Sequence, residues 1–398
     1  MTTLKGKHVL IIVENLPVPF DRRVWQEATT LKESGASVSV ICPVMKGYEI
    51  KHEVVDGIEI YRHPLPVEGR GATGYLLEYT IALFWEFILS WKIFIKKRFQ
   101  VIQGCNPPDL IFLVAVWFKI FGVKYIFDHH DINPELYIAK YNKKGLFYRL
   151  MILFERLTFA VADFSIATNE SYKEIAISRG KMSPDRVQVV RSGPRLERLK
   201  ILPPEPKYKK GRKYLVGYVG VIGEQEGLDL LLESVVFIVN KRKDIHFAVV
   251  GGGTDLEKIK RMSKKMGLND YVDFYGRVPD EKMLQILNTA DVCVNPDRPT
   301  EMNNLSTMNK IMEYMALKKP IVQYDLKEGR FSAGEASLYA KDPVDFANKI
   351  LFLIENPEKR KKMGELGYQR IINELSWEHE SVKLLKIYNK VFHIRAGY

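Results

Sequence analysis

Short apolar runs alternate with amphipathic stretches along nearly the whole chain. In the first half the runs predict strands over His8–Val13, Ser37–Ile41, Ile58–Arg62, Val101–Gln103, Lys124–Phe127, Phe164–Ala167 and Val187–Val190. Between them, apolar positions spaced three and four apart predict helices near Arg22–Ser34, Tyr75–Arg98, Asp109–Phe121, Leu146–Val161 and Glu170–Arg179. Strand, helix, strand repetition at this spacing belongs to parallel sheets covered on both faces.

The alternation breaks at Leu202–Gly211, where Pro203, Pro204 and Pro206 sit among lysines without periodicity and predict a linker. It then resumes. Strands are expected over Tyr214–Val219, Ile245–Val250, Val272–Tyr275, Asp291–Val294 and Ile321–Gln323, with helices over Gly227–Asn240, Asp255–Met266, Asp280–Leu287 and Thr307–Leu317. Three further helical stretches, Pro343–Glu355, Pro357–Asn373 and Trp377–Phe392, close the chain. The expected fold class is α/β, with two doubly wound Rossmann-like domains facing across a cleft. The first would take residues 1–205, the second 206–376, and a last helix over 377–398 would cross back to the first. A length of 398 residues suits two such domains.

Composition narrows the partners more than the fold. Hydrophobic residues make up 46% and charged residues 27%, which excludes a disordered or fibrous chain. Cys42, Cys105 and Cys293 are far apart and odd in number, so neither a disulfide framework nor a zinc site is expected. The apolar run from Val9 stops at Glu14, too short for a signal peptide, and a cytoplasmic protein is expected. The net charge of +12 would attract anions, but no zinc-finger spacing or ribonucleoprotein motif accompanies it, so no nucleic acid is expected. The charge coincides with an aromatic run over Gly74–Phe99 that Glu78, Glu86 and Lys92 interrupt. That run is a core helix, or an interfacial helix whose Lys96, Lys97 and Arg98 meet an anionic membrane surface, and its two faces can serve both.

The stretch Asn303–Ala316 carries the candidate chemistry. Asn304, Ser306 and Thr307 are residue types that begin helices, and Met308, Ile311, Met312 and Met315 then repeat at helical spacing. A helix opening after a parallel strand directs backbone N–H groups and the positive end of its dipole at a phosphate. Glu313, about two turns on, could accept from sugar hydroxyls, which together suggests a nucleotide-sugar site. The plain alternative is a surface ion pair between Lys310 and Glu313.

Four segments together resemble the GT-B glycosyltransferases of the large retaining group called family 4, in its bacterial surface-polysaccharide branch. They are Glu14–Ala28, reading ENLPVPFDRRVWQEA; Asp128-His129-His130-Asp131; Gly217–Gly227, reading GYVGVIGEQEG; and Ser306–Glu313 with the following Lys-Pro-Ile-Val. The resemblance implies transfer of a sugar from a nucleotide-sugar, UDP-linked in preference, to a glycan or polyprenyl-linked acceptor, with no metal or other cofactor. By the same resemblance Gly220 and Gly223 admit the diphosphate, and Ser306, Thr307 and Met308, with Lys310 nearby, serve it; Arg277 is a further donor-side candidate. Glu313 would hold the ribose and His130 would contact the transferred sugar, while Asn15, Arg22, Arg23 and Asp128 belong to the acceptor side.

The chain also departs from the family. Val221 and Glu226 stand where an Arg and a Lys are usual, and Leu305 stands where a Glu is usual. Arg277, Arg298 or Lys310 would have to supply the missing charge, and Asp297 or Glu301 the missing carboxylate. Two other functions share these expectations: a catalytically weak nucleotide-binding scaffold, and a sugar-nucleotide epimerase of the same architecture.

Overall fold

The structure is a computed structural model that describes residues 4–65 and 71–393, leaving aside the side chains of residues 71–73, 75 and 76. The chain divides into two compact units. One takes the described residues up to Ser192 together with those from Glu380 on, and the other is Gly193–His379. Residues 394–398 of the expected last helix lie outside the described residues.

Apolar pattern fixes the strands of the first unit. They are β1 (His8–Val13), β2 (Ser37–Pro43), β3 (His52–Val55), β4 (Ile58–His63), β5 (Val101–Cys105), β6 (Lys124–His129), β7 (Phe164–Ala167) and β8 (Val187–Val189), in sheet order β3-β4-β2-β1-β5-β6-β7-β8. Every residue of β1 is buried, as a central parallel strand requires. Only β3 runs antiparallel, and it escapes the sequence pattern because it is a four-residue edge strand with no buried position. From β1 the chain steps one way to β2, and through β5, β6 and β7 the other way. Right-handed crossovers therefore set the helix Arg22–Glu33 on one face of the sheet and the helices Gly71–Lys96, Phe112–Lys119 and Leu146–Val161 on the opposite face.

The second unit contains β9 (Tyr214–Val219), β10 (Ile245–Val250), β11 (Val272–Gly276), β12 (Val292–Asn295), β13 (Ile321–Tyr324) and β14 (Ser337–Ala340), all parallel in the order β11-β10-β9-β12-β13-β14. Side chains alternate between two hydrophobic clusters along β9 and β10. Val216, Tyr218, Phe247 and Val249 join one, and Leu215, Ala248 and Val250 the other.

The proline-rich segment is not a free linker, and the boundary falls at Ser192/Gly193 rather than 205/206. Leu199 and Tyr208 are buried in the second unit's core. The Leu202 amide donates to Asn288 Oδ1 at 3.1 Å, and the Glu205 amide to Thr289 Oγ1 at 2.8 Å. Prolines remove backbone donors, but the Leu202 and Glu205 N–H groups find partners on the helix Asp280–Thr289, which straps the segment down.

Candidate functional site

In the second unit β9 and β12 are neighbours although the chain visits β10 and β11 between them. Such a reversal of strand order opens a crevice at the carboxyl ends of the strands. Gly220 follows β9, Gly251-Gly252-Gly253 follow β10, Arg277 follows β11 and Asp297 follows β12, so all are carried to that edge. The loops interlock through Gly220 N donating to Val250 O at 3.1 Å and Ile222 N to Gly252 O at 3.0 Å. A Cβ on Gly251, whose φ is +137°, would stand 1.8 Å from Gly220 O, so the approach demands glycine. A Cβ on Gly220 would meet Tyr218 Oη at 2.8 Å and Lys310 Cε at 3.1 Å.

The helix Asn309–Ala316 borders this edge. Ile311, Met312, Tyr314 and Met315 bury its inner face, and Tyr314 Oη accepts from Val219 N at 2.9 Å, tying the helix to the end of β9. Lys310 and Glu313 lie on its other side. They do not pair with each other. Lys310 Nζ bonds Asp297 Oδ1 at 2.6 Å, and Glu313 bonds Arg198, which also reaches Asp280 Oδ2 at 2.9 Å. Burial raises the Asp297 carboxyl and Lys310 opposes that shift. Lys310 is thus held beside Gly220 by a buried carboxylate.

Several expectations need correction. The helix starts later than the polar run suggests, with Met308 at its cap position, and a separate short helix, Glu301–Leu305, precedes it with Thr300 as its cap. Ser306 Oγ turns back to Met302 O at 2.8 Å, and Met308 begins the second helix with no side-chain cap bond. Arg298 is not a free cation, since it pairs with Asp229 and donates to Glu224 O at 2.9 Å. The stem of Arg277 packs over Gly252. Glu226 turns inward to accept from Gly223 N at 3.1 Å, so a carboxylate takes the position where the resemblance calls for a cation. Glu301 is exposed, and Asp297 is committed to Lys310.

The first unit gathers its candidates at the carboxyl ends of β1, β5 and β6. Asn15 and Arg22 are exposed, whereas Arg23 is buried and supplies no loop charge. Its guanidinium reaches Asp128 Oδ1 at 2.8 Å, Glu27 Oε1 at 3.1 Å, Val190 O at 2.9 Å and Ser192 Oγ at 3.1 Å. Asp21 positions this residue by capping the helix through Val24 N at 3.0 Å. His130 Nε2 lies 2.8 Å from Asp128 Oδ2 and 2.9 Å from Arg23 Nε, so it donates to the first when protonated there and accepts from the second when not. Asn106 Oδ1 fixes the backbone by accepting from His130 N at 2.6 Å and Asp131 N at 3.1 Å.

Glu27, Cys105, Asp128 and His130 bring four potential ligand atoms within 4.8 Å of one another. The Arg23 guanidinium already supplies the positive charge there. Burial also pushes Glu27 and Cys105 toward their protonated forms, while Arg23 holds Asp128 well below the usual carboxylate range. A protonated acid and thiol beside a guanidinium make a poor cation site. Gln103 closes the cluster, donating to Asp128 Oδ2 at 2.9 Å and accepting from Tyr388 Oη of the helix Trp377–His393. His129 is a core residue, packed among Phe127, Phe159 and Tyr172, and burial lowers its pKa to about 3.

Sequence reasoning missed Arg198, the glycine triplet Gly251–Gly253, and the Gln103–Tyr388 support. The triplet was visible as three glycines directly after a strand. The other two depend on residues far apart in sequence and leave no local signal.

Two Rossmann-like units with these strand-end loops define a glycosyltransferase of GT-B fold. Residues 21–193 match the family described as glycosyl transferase 4-like domain, and residues 213–356 match glycosyl transferases group 1. The chain belongs to these glycosyltransferases. An uncharacterized glycosyltransferase of Methanocaldococcus jannaschii is 23% identical over 88% of this chain and 87% of its own length. Among solved structures, sucrose-phosphate synthase of Thermosynechococcus elongatus superposes with a TM-score of 0.79 at 17% identity, covering 98% of this chain and all 100% of the other. HepE of Anabaena, solved in complex with UDP and glucose, gives a TM-score of 0.71 at 13% identity, covering 96% and 100%.

Proposed function

We propose that the chain transfers a sugar from a nucleotide-sugar donor, UDP-linked in preference, to a glycan or polyprenyl-linked acceptor, with retention, in cell-surface polysaccharide assembly. The observation that carries this reading is the set Gly220, Gly251, Lys310 and Glu313 at the switch between β9 and β12. Glycines there admit a diphosphate, Lys310 is pre-positioned by its ion pair with Asp297, and Glu313 is half-buried about one turn along the helix. That HepE, a fold neighbour, is solved with UDP and with UDP-glucose supports a UDP-linked donor.

Glycosyl transfer breaks the anomeric C–O bond, and negative charge develops on the departing diphosphate. Lys310, Arg277 and the helix start at Met308–Lys310 meet that charge with fixed dipoles and cations. In retention the leaving phosphate oxygen takes the proton of the acceptor hydroxyl, so His130 orients the transferred sugar and needs no role as base. The enzyme works at the cytoplasmic face of the plasma membrane, bound peripherally. Among the described residues, no helix is long and apolar enough to cross a membrane.

The test is nucleotide release from UDP-sugars with and without polyprenyl-phosphate-linked acceptors, with the anomeric configuration of the product read by NMR. Acceptor-dependent release and a product of the donor's configuration are expected. An isomerised free sugar nucleotide would establish the epimerase instead, and an inverted product would discard retention.

A further inference from the structure

Sugar transfer leaves the outer faces of three helices in the first unit unexplained. On Gly71–Lys96 the exposed positions with described side chains are Leu77, Thr80, Phe84, Ile88, Lys92, Ile95 and Lys96, spaced as one helical stripe. On Phe112–Lys119 and its following turn they include Leu113, Val116, Trp117, Ile120 and Phe121. On Leu146–Val161 they are Leu146, Phe147, Arg149, Leu153, Arg156, Leu157 and Ala160. The exposure is large, at 80% for Ile95, 79% for Ile120 and 71% for Leu146. By contrast, the helix Leu256–Lys265 of the second unit exposes Glu257, Lys258, Arg261, Lys264 and Lys265, an ordinary polar face.

The three stripes are contiguous. Phe87 meets Trp117 with ring centroids 6.3 Å apart, and Trp91 meets Phe121 at 5.7 Å, joining the first helix to the second. Lys119 Nζ bonds Val161 O at 2.8 Å, joining the second to the third. All three lie on one face of the sheet by the handedness of their crossovers. Contiguous apolar surface of this extent is unusual on a protein that meets only water.

We infer that this three-helix face inserts into the acyl-chain boundary of an anionic lipid leaflet. The inference rests on the peripheral-membrane reading above and gives it a surface. Charge selects the occupant. Among the described residues, every exposed ionisable side chain on the three helices is a cation: Lys92, Lys96, Arg149 and Arg156. Lys140, Lys143 and Lys144 lie exposed just before the third helix. A twofold contact with a second copy would set these cations against one another, whereas an anionic leaflet neutralises them while its chains take the leucines and aromatics. Lys96 also reaches Glu59 at 3.5 Å, while Lys97 and Arg98 are held by Ser37 Oγ at 2.6 Å and over the Phe94 ring, so the last two fringe the face rather than define it. Insertion adds a component that salt does not screen.

The test uses the full chain with phosphatidylglycerol–phosphatidylcholine vesicles carrying bromine on the acyl chains, with no donor or acceptor present. Cosedimentation that persists in high salt is expected, with quenching of tryptophan fluorescence that Trp117→Phe lowers. Ile120→Ser/Leu146→Ser/Leu153→Ser should lower vesicle partitioning roughly tenfold or more at an unchanged melting temperature. Binding that salt abolishes without any quenching overturns the inference, as does partitioning unaltered in the triple variant. Dimerisation that the triple variant abolishes also overturns it, by assigning the face to a second copy. The nucleotide-induced thermal shift of the triple variant should equal the parent's. Its absence in the parent would sink the transferase reading and leave the lipid result standing.

Discussion

His129 and His130 are sequence neighbours in opposite surroundings. Alternation along β6 sends the first into an aromatic core and leaves the second, 13% exposed, beside Asp128 and Arg23. His130→Ala should therefore lower turnover by roughly two orders of magnitude with little change in melting temperature. His129→Ala should instead destabilise the fold by about 2–5 kcal/mol, as large-to-small core changes do. Steady-state kinetics paired with calorimetry separates the two, and a reversed pattern would move the active residue by one position. Burial, acting alone, pushes the Glu86 carboxyl from 4.5 to about 8 on the inner side of the helix Gly71–Lys96. The folded chain then retains a proton that the unfolded chain releases, so stability from this residue falls as pH rises across that interval. Glu86→Gln cannot ionise, and its melting temperature should decline less than the parent's over the same range. Parallel curves would mean that Glu86 ionises without cost.

The loops after β9 and β10 interlock at the edge where we propose the diphosphate binds. Gly251→Ala places a methyl into Gly220 O and should abolish nucleotide binding while destabilising the second unit. Gly145→Ala, where nothing lies within 4 Å of the added atom, serves as the neutral comparison. Equal nucleotide affinity in Gly251→Ala and the parent would show that the loops are not the diphosphate seat. Long apolar runs such as β1 and β10 were legible because burial on both faces leaves a continuous signal. The helix Asn133–Tyr141 and the strand β14 were not, since the first buries few side chains and the second is a short edge strand. The Asn303–Ala316 stretch showed its apolar face correctly, but its polar opening divides into two helices, and no local pattern announces that break.

At the scale of the whole molecule, alternation in the sequence revealed two parallel α/β units, and the tethering of the proline-rich strap to the helix Asp280–Thr289 moved their boundary. Of the candidate site, Gly220, Gly223, His130 and Glu313 were legible as candidates. Its partners were not, because Arg198, Asp297 and Gln103 act through contacts that only the folded chain brings together. Glu313 bears the central claim, since a ribose would have to draw it from Arg198. A thermal-shift screen of UDP-, GDP-, dTDP- and ADP-sugars on the parent and Glu313→Ala tests this directly. One donor class, UDP-linked, should stabilise the parent by about 2.7 kcal/mol at one hundred times its dissociation constant. Loss of a charge-assisted bond of about 1.5–3 kcal/mol should weaken that binding roughly tenfold or more in Glu313→Ala. Stabilisation by no donor, or an undiminished shift in Glu313→Ala, would contradict the account and return Glu313 to its ion pair with Arg198.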